Sequence, residues 1–314
     1  MSPLNPSATK VALLAGGNSG EREISLASGA GAYKALTEAG FEVSQLDPAN
    51  KKDLVALVEG EFDVAFLALH GKGGEDGAMQ GMLEVLGIPY TGPGIWASST
   101  AMDKAKAKVF YRSHGVATPG SVTLYSATDY TPGQIAELVG SHCVIKAATE
   151  GSALGVYLCN GENEIADALT KVFEIDDEAL AETFVKGDEY TVAVLGNEDP
   201  EALPVIQIVP MHEFYDFESK YAEGGSQHIC PAPLSEADTK KASELAIAAH
   251  KALGCEGVSR TDMIRDDAGE FWVLETNTIP GMTATSLLPD AARVAGMDFP
   301  ALCCRLIENA LARK

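Results

Sequence analysis

The 314-residue sequence predicts an α/β protein, with an open parallel-stranded first domain and an α+β remainder. Three observations carry this. The short apolar run Val11-Ala12-Leu13-Leu14-Ala15 leads into Gly16-Gly17-Asn18-Ser19-Gly20 and then a helical stretch, the strand, glycine turn and helix that open an α/β unit. Residues 257–287 read instead as two strands joined at Asp266-Asp267-Ala268-Gly269, which is hairpin chemistry. The length allows two or three small domains with substantial cores.

Composition narrows the class. Apolar residues make up 46%, as in a globular rather than a disordered chain. No apolar run approaches the ~20 residues that span a bilayer. The segment MSPLNPSATK lacks the charged-then-apolar layout of a signal peptide. The expected location is therefore the cytoplasm, away from membranes. Against 45 acidic residues stand 23 lysines and arginines, a formal charge of −22. That argues against a nucleic-acid partner, which needs a basic footprint. The six cysteines show no CxxC spacing and read as free, mostly buried thiols.

The first domain, 1–92, should hold strands over 10–15, 41–46 and 63–69 and helices over 21–39 and 78–86. Its loops at Gly16-Gly17 and at 70–77 follow strands, where open α/β sheets bind ligands. The second, 93–183, opens a helix near Ala101 that carries Lys104, Lys106 and Lys108, a run that also reads as a solvated face. Strands follow over 121–124, 143–146, 156–159 and 180–185, with helices over 132–139 and 164–172. Lys146 closes an apolar strand before the small-residue loop 147–155. There a lysine can neutralise phosphate oxygens while loop N–H groups supply directional donors. The third, 184–314, holds strands over 189–195 and 203–208 and helices over 236–253, 288–295 and 299–312. The aromatic, charged stretch 214–221 has the composition of a lid or of plain packing.

The hairpin concentrates the chemistry. Its register can bring Asp262 beside Glu275, and Glu275 and Asn277, two apart, share a face. Two carboxylates and an amide are hard oxygen ligands of the kind that suit Mg²⁺, which is usually held by one or two carboxylates plus substrate phosphates. Arg260, on the same face as Asp262, places a cation where negative charge would develop. Such a hairpin can also be solvated surface. Against that stands Pro280-Gly281-Met282-Thr283, a turn that offers N–H groups to an anion, followed by Thr285 and Ser286.

R-x-D, E-x-N and PGMT at this spacing resemble the C-terminal signature of the D-alanine–D-alanine ligases, a branch of the ATP-grasp superfamily. The earlier GGxSxERExSL and ALHGxxGEDGxxQG are similar to that family's N-terminal pattern, and the resemblance covers about residues 10–310. It implies a three-domain ATP-grasp fold with an N-terminal open parallel-sheet domain. It further implies ATP-dependent joining of two D-alanines through an acylphosphate for peptidoglycan, and a homodimer. Two Mg²⁺ (or Mn²⁺) ions would sit at Asp262, Glu275 and Asn277. Glu23 would bind the amino group of the first D-alanine, and His70 would lie by its carboxylate. Ser152 would join a network with Glu23 and Tyr221. Lys104, Lys146 and Lys220 would hold the ATP phosphates, Glu182, Phe184 and Val185 the adenine, and Glu189 the ribose. Arg260 and the Gly281 amide would stabilise the tetrahedral oxyanion, and Ser286 with the Leu287 backbone the second carboxylate. Ala147 and Thr149 depart from the family pattern, which has proline and a basic residue there. The other readings are a ligase for a D-lactate or D-serine acceptor, and a non-catalytic nucleotide-binding protein on the same scaffold.

Overall fold

The computed structural model describes residues 4–152, 154–210, 226–283 and 285–313. Lys220 and Tyr221 lie outside the described residues. Among the described residues, three sheets organise the fold. The first is parallel, in the order β2 (Glu42–Leu46), β1 (Lys10–Leu14), β3 (Val64–Leu67). Alternate side chains of a strand point to opposite faces. Val11, Leu13, Val64 and Phe66 accordingly enter one core, and Ala12, Leu14, Ala65 and Leu67 another. The second core is closed by Leu57 of α2 (Lys51–Glu59) and by Leu83 of α3 (Ala78–Leu86). The first is shared with the chain's last helix, through Leu302, Leu306 and Ile307. Helix α1 (Arg22–Glu38) follows the glycine turn as expected.

Helix α2 and helix α4 (Ile95–Met102) lie outside the expected elements. The cue for α2 is its cap, since the Asn50 side chain accepts from the Lys52 N–H. Helix α4, IWASSTAM, has almost no polar–apolar contrast around its axis, so periodicity is silent. Helix α5 (Lys104–Ser113) begins at once after it, capped by Asp103.

The second sheet is antiparallel, ordered β4 (Ser121–Leu124), β7 (Ala179–Thr183), β5 (His142–Ala147), β6 (Val156–Asn160). Helices α6 (Pro132–Val139) and α7 (Glu162–Val172) cover one face with Ile135, Val139, Ile165 and Leu169. The opposite face is left for the cleft.

The third sheet is also antiparallel. Its path is β11 (Ser226–Ile229), β10 (Ile206–Pro210), β8 (Gly187–Gly196), β12 (Gly257–Asp266), β13 (Phe271–Asn277), with β9 (Glu201–Ala202) on β8. Helix α8 (Glu236–Ala252) packs Ala242 and Ala246 against Tyr190, Val192, Met263 and Phe271. Helices α9 (Leu287–Val294) and α10 (Phe299–Ala312) bring Leu287, Leu288 and Leu302 into the core shared with the first sheet. The expected hairpin is β12–β13. Asp266 Oδ1 accepts from the Ala268 and Glu270 N–H groups and so closes its turn.

Candidate active site

A cleft of about 1330 Å³ opens between the three sheets. Every described residue of the expected set lines it: Glu23, His70, Lys104, Lys146, Ser152, Glu182, Phe184, Val185, Glu189, Arg260, Asp262, Glu275, Asn277, Gly281, Ser286 and Leu287.

The hairpin forms one wall. Asp262 pairs with Glu275 and Arg260 with Asn277 in register, so all four side chains share a face. A bulge between Asp262 and Met263 follows at once, a device that re-aims side chains beside sites. Asp262 is held firmly: Arg260 donates from Nε (2.9 Å) and Nη2 (2.7 Å), Thr191 Oγ1 from 2.6 Å and Asn277 Nδ2 from 3.0 Å. Asn277 thus turns its amide nitrogen to Asp262, and its oxygen is the atom suited to a cation. Among the described residues no three His, Cys, Asp or Glu side chains form a cation cage. Two carboxylates and an amide fit a hard cation that takes its remaining ligands from substrate phosphates and water.

The second sheet supplies cations. Lys104, at the start of α5, donates to the Glu150 carbonyl at 2.6 Å and pairs with Glu275 at 3.4 Å. Lys146 donates to Glu182 Oε1 at 2.9 Å. The loop between β5 and β6 is fixed by its own unusual residue, since the Thr149 N–H and hydroxyl both bond Asp176 Oδ2, at 2.8 and 3.0 Å. Thr149 therefore does a structural job where the family pattern has a basic residue. Ser152 sits in this loop with φ +53°, a left-handed backbone that costs a non-glycine residue about 1 kcal/mol and that clusters at functional sites. Along the same wall Phe184 stacks on His142, with ring centroids 4.1 Å apart.

At the end of the cleft next to the first sheet, one contact differs from expectation. Ser152 donates to Glu21, and Glu23 is exposed on the first turn of α1. Glu21 occupies a cradle made by glycines: a Cβ at Gly71 would come within 2.7 Å of its Oε2, and one at Gly151 within 2.9 Å. The spacing of GGNSGEREISL contains both glutamates, and only the packing of loops 70–77 and 147–155 chooses between them. His70 is buried, with Nε2 3.0 Å from the Ser28 hydroxyl. Burial, and then the Arg260 charge, lower its pKa to about 4, so the ring is neutral at pH 7. Glu75 accepts from the Gly71 N–H (2.7 Å) and the Ile279 N–H (3.3 Å), joining this loop to the PGMT turn. Burial, and then Glu21, raise its pKa to about 8.

The PGMT turn closes the cleft. Met282 N–H donates to Ser28 Oγ at 3.2 Å, and Thr283 N–H to Ser286 Oγ at 3.0 Å. Ser286 is the N-cap of α9 and Leu287 its first residue, and both line the cleft. A helix start of this kind favours an anion such as a carboxylate. Glu21, Glu75, Ser28 and Thr191 stand outside the expected set. Each is unremarkable in sequence and acquires its place only from packing.

Two antiparallel sheets facing across a cleft lined with lysines and carboxylates, beside a parallel-sheet domain, are the architecture of the ATP-grasp proteins. Comparison with known proteins narrows this. Residues 112–308 match the family model described as D-ala D-ala ligase C-terminus, and residues 46–93 match D-ala D-ala ligase N-terminus. The D-alanine–D-alanine ligase of Desulforamulus reducens is 45% identical over 312 residues, covering 97% of this chain and 99% of that protein. The crystal structure of the Bacillus anthracis D-alanine–D-alanine ligase complexed with ATP superposes with TM-score 0.85 at 32% identity, over 97% of this chain and 98% of that one. The VanG D-Ala:D-Ser ligase from Enterococcus faecalis superposes with TM-score 0.84 at 29% identity, over 96% and 99%. The chain belongs to the D-alanine–D-alanine ligase family.

Proposed function

We propose that the protein joins two D-alanines into D-alanyl-D-alanine, with ATP as phosphoryl donor, for peptidoglycan synthesis. The observation that carries this reading is a single cleft. One end gathers Lys104, Lys146, Arg260 and the Asp262–Glu275–Asn277 face. The other ends in the Glu21–Ser152 contact and the Ser286 helix start. The Bacillus anthracis neighbour, solved with ATP, supports the nucleotide, and the names of the relatives support the product.

A carboxylate oxygen of the first D-alanine attacks the γ-phosphorus of ATP. The bond to the β–γ bridging oxygen breaks, leaving ADP and D-alanyl phosphate. The amine of the second D-alanine attacks the acyl carbon, the carbon–oxygen bond to phosphate breaks, the nitrogen gives one proton to the departing phosphate, and the peptide bond remains. Lys104 and Lys146 bind the phosphates, with Lys220, and Phe184, Val185, the Glu182 backbone and Glu189 hold the nucleoside. Arg260 and the Gly281 N–H face the tetrahedral oxyanion. Glu21, in place of Glu23, takes the ammonium of the first D-alanine, and neutral His70 faces its carboxylate as a hydrogen-bonding partner. Ser286 and the Leu287 N–H take the second carboxylate. Asp262, Glu275 and Asn277 would hold Mg²⁺ or Mn²⁺, two ions in all, whose chemistry is to neutralise the phosphoryl oxygens. An acylphosphate is open to hydrolysis, so excluding water matters, and Tyr221 belongs to the segment assigned that task. The domains would be 1–92, 93–183 and 184–314, in a cytoplasmic homodimer. Among the described residues no helix is long and apolar enough to cross a membrane.

The second reading, a ligase for D-serine or D-lactate, draws on the near-equal likeness to the D-Ala:D-Ser ligase. Phosphate release from ATP with D-alanine, D-serine, D-lactate and L-alanine, with products identified by mass, separates the two. D-alanine alone should give phosphate and the homodipeptide. Product only from mixed pairs would replace this reading with the second.

A further inference from the structure

Lys108 lies outside the cleft lining, yet it is 0% exposed, against 7% for Lys146. It stands one helical turn after Lys104 on α5. Its ammonium forms an ion pair with Glu182 Oε2 and donates to Thr118 Oγ1 at 2.6 Å and to the Pro119 carbonyl at 3.4 Å. Fully buried behind the cleft wall, it does not reach a ligand there. Glu182, 2% exposed on β7, therefore sits between two ammonium groups, with Oε1 on Lys146 at the cleft wall and Oε2 on Lys108 behind it. Thr118 passes its own proton to the Val273 carbonyl at 2.7 Å, and the Val273 N–H donates to Ala117 at 2.8 Å. The group is thereby tied to β13, the strand that carries Glu275.

The charges suggest what this arrangement does. A buried carboxylate with one partner becomes an uncompensated charge when that partner leaves, which is strongly unfavourable. Lys146 faces the cleft and is needed there by a phosphate. Were Lys146 the sole partner of Glu182, a ligand would have to break a buried pair to recruit it.

Resting on the reading that this cleft takes ATP, we infer that Lys108 is a positioning residue: while protonated it keeps Glu182 paired, so that Lys146 can exchange Glu182 for a nucleotide phosphate. The groups that face the Lys108 ammonium are Glu182 on β7, Lys146 on β5 and Arg112 on its own helix. Burial foremost, with Lys146 and Arg112, lowers its pKa to about 8, against the opposing pull of Glu182. Nucleotide affinity should therefore weaken as pH rises through about 8, where Lys108 loses its proton and Glu182 reclaims Lys146.

The test is calorimetric binding of ATP with Mg²⁺ to the full-length protein, alongside steady-state kinetics with D-alanine. Lys108→Met should weaken ATP binding about tenfold while kcat at saturating ATP stays within about threefold. The double variant Lys108→Met with Glu182→Gln removes the competing charge and should bring affinity back to within about threefold of the parent. Lys108→Arg keeps the charge and should hold affinity through pH 9. If Lys108→Met does not fold, the pH profile of Lys108→Arg against the parent decides. Parent-like binding by Lys108→Met, a double variant as weak as the single one, or a Lys108→Arg profile that declines with the parent would each overturn the inference. Failure of the parent itself to bind ATP would overturn the proposed function instead.

Discussion

At the end of the cleft proposed for the nucleotide, charge is balanced by pairs. Lys104 sits on Glu275, Lys146 on Glu182 and Arg260 on Asp262. At the end proposed for the amino acids, burial instead holds His70 neutral and raises the Glu75 pKa to about 8. The first arrangement responds to ligands: a phosphate or a cation can take over one member of a pair and leave the fold intact. The second responds to protons, because His70 and Glu75 owe their neutral forms to burial. A chain with a net charge of −22 that handles ATP gains from the first device, because its cations are preassembled where phosphates must go.

Breaking the pairs should have the largest effect. Arg260→Met removes a bidentate partner of Asp262 and the proposed oxyanion donor together. Turnover at saturating substrates should fall roughly 10²–10³-fold. A loss below threefold would mean that Arg260 only orders Asp262. A smaller effect is expected at the PGMT turn. A Cβ at Gly281 would lie 2.8 Å from Ser286 Oγ, which Thr283 holds by its N–H at 3.0 Å and its hydroxyl at 2.8 Å. Gly281→Ala should raise KM for the second D-alanine about tenfold and leave ATP binding unchanged, or the two ends are not separable.

The smallest effect is on stability against pH, and it sharpens the contrast. Glu75 binds its proton more tightly when folded, so its contribution is complete below pH 4.5 and is lost as pH rises through about 8. His70 runs the other way: its contribution is complete above pH 6.5 and is lost as pH falls through about 4. The two oppose each other between pH 4.5 and 6.5. From pH 6.5 to 8 Glu75 acts alone, at most about 2 kcal/mol for a side chain that still faces the cleft. Thermal unfolding of Glu75→Gln should show a flatter profile than the parent over that range. Parallel profiles would show that Glu75 is ionised in the folded protein.

Much of the fold and site is legible in the sequence because it is local. The hairpin register follows from turn chemistry and a two-residue period, so spacing alone puts Arg260, Asp262, Glu275 and Asn277 on one face. Lys146 at the end of an apolar strand is readable in the same way. Other features depend on packing between distant segments. Lys108 has the sequence context of a solvated helix lysine, and it is buried because Thr118, Pro119 and Glu182, 10 to 74 residues away, close over it. Glu21 and Glu23 are equivalent by spacing, and glycines 50 and 130 residues away make room for Glu21.

Local pattern is thus enough for most of the strands, the acidic hairpin and the lysine-bearing strand, since periodicity, turn residues and strand ends act over a few residues. Packing alone chose which glutamate meets Ser152, which carboxyls and imidazoles are stripped of charge, and which lysine is hidden behind another. Those outcomes depend on desolvation and on pair distances, which no stretch of chain possesses until distant segments close around it.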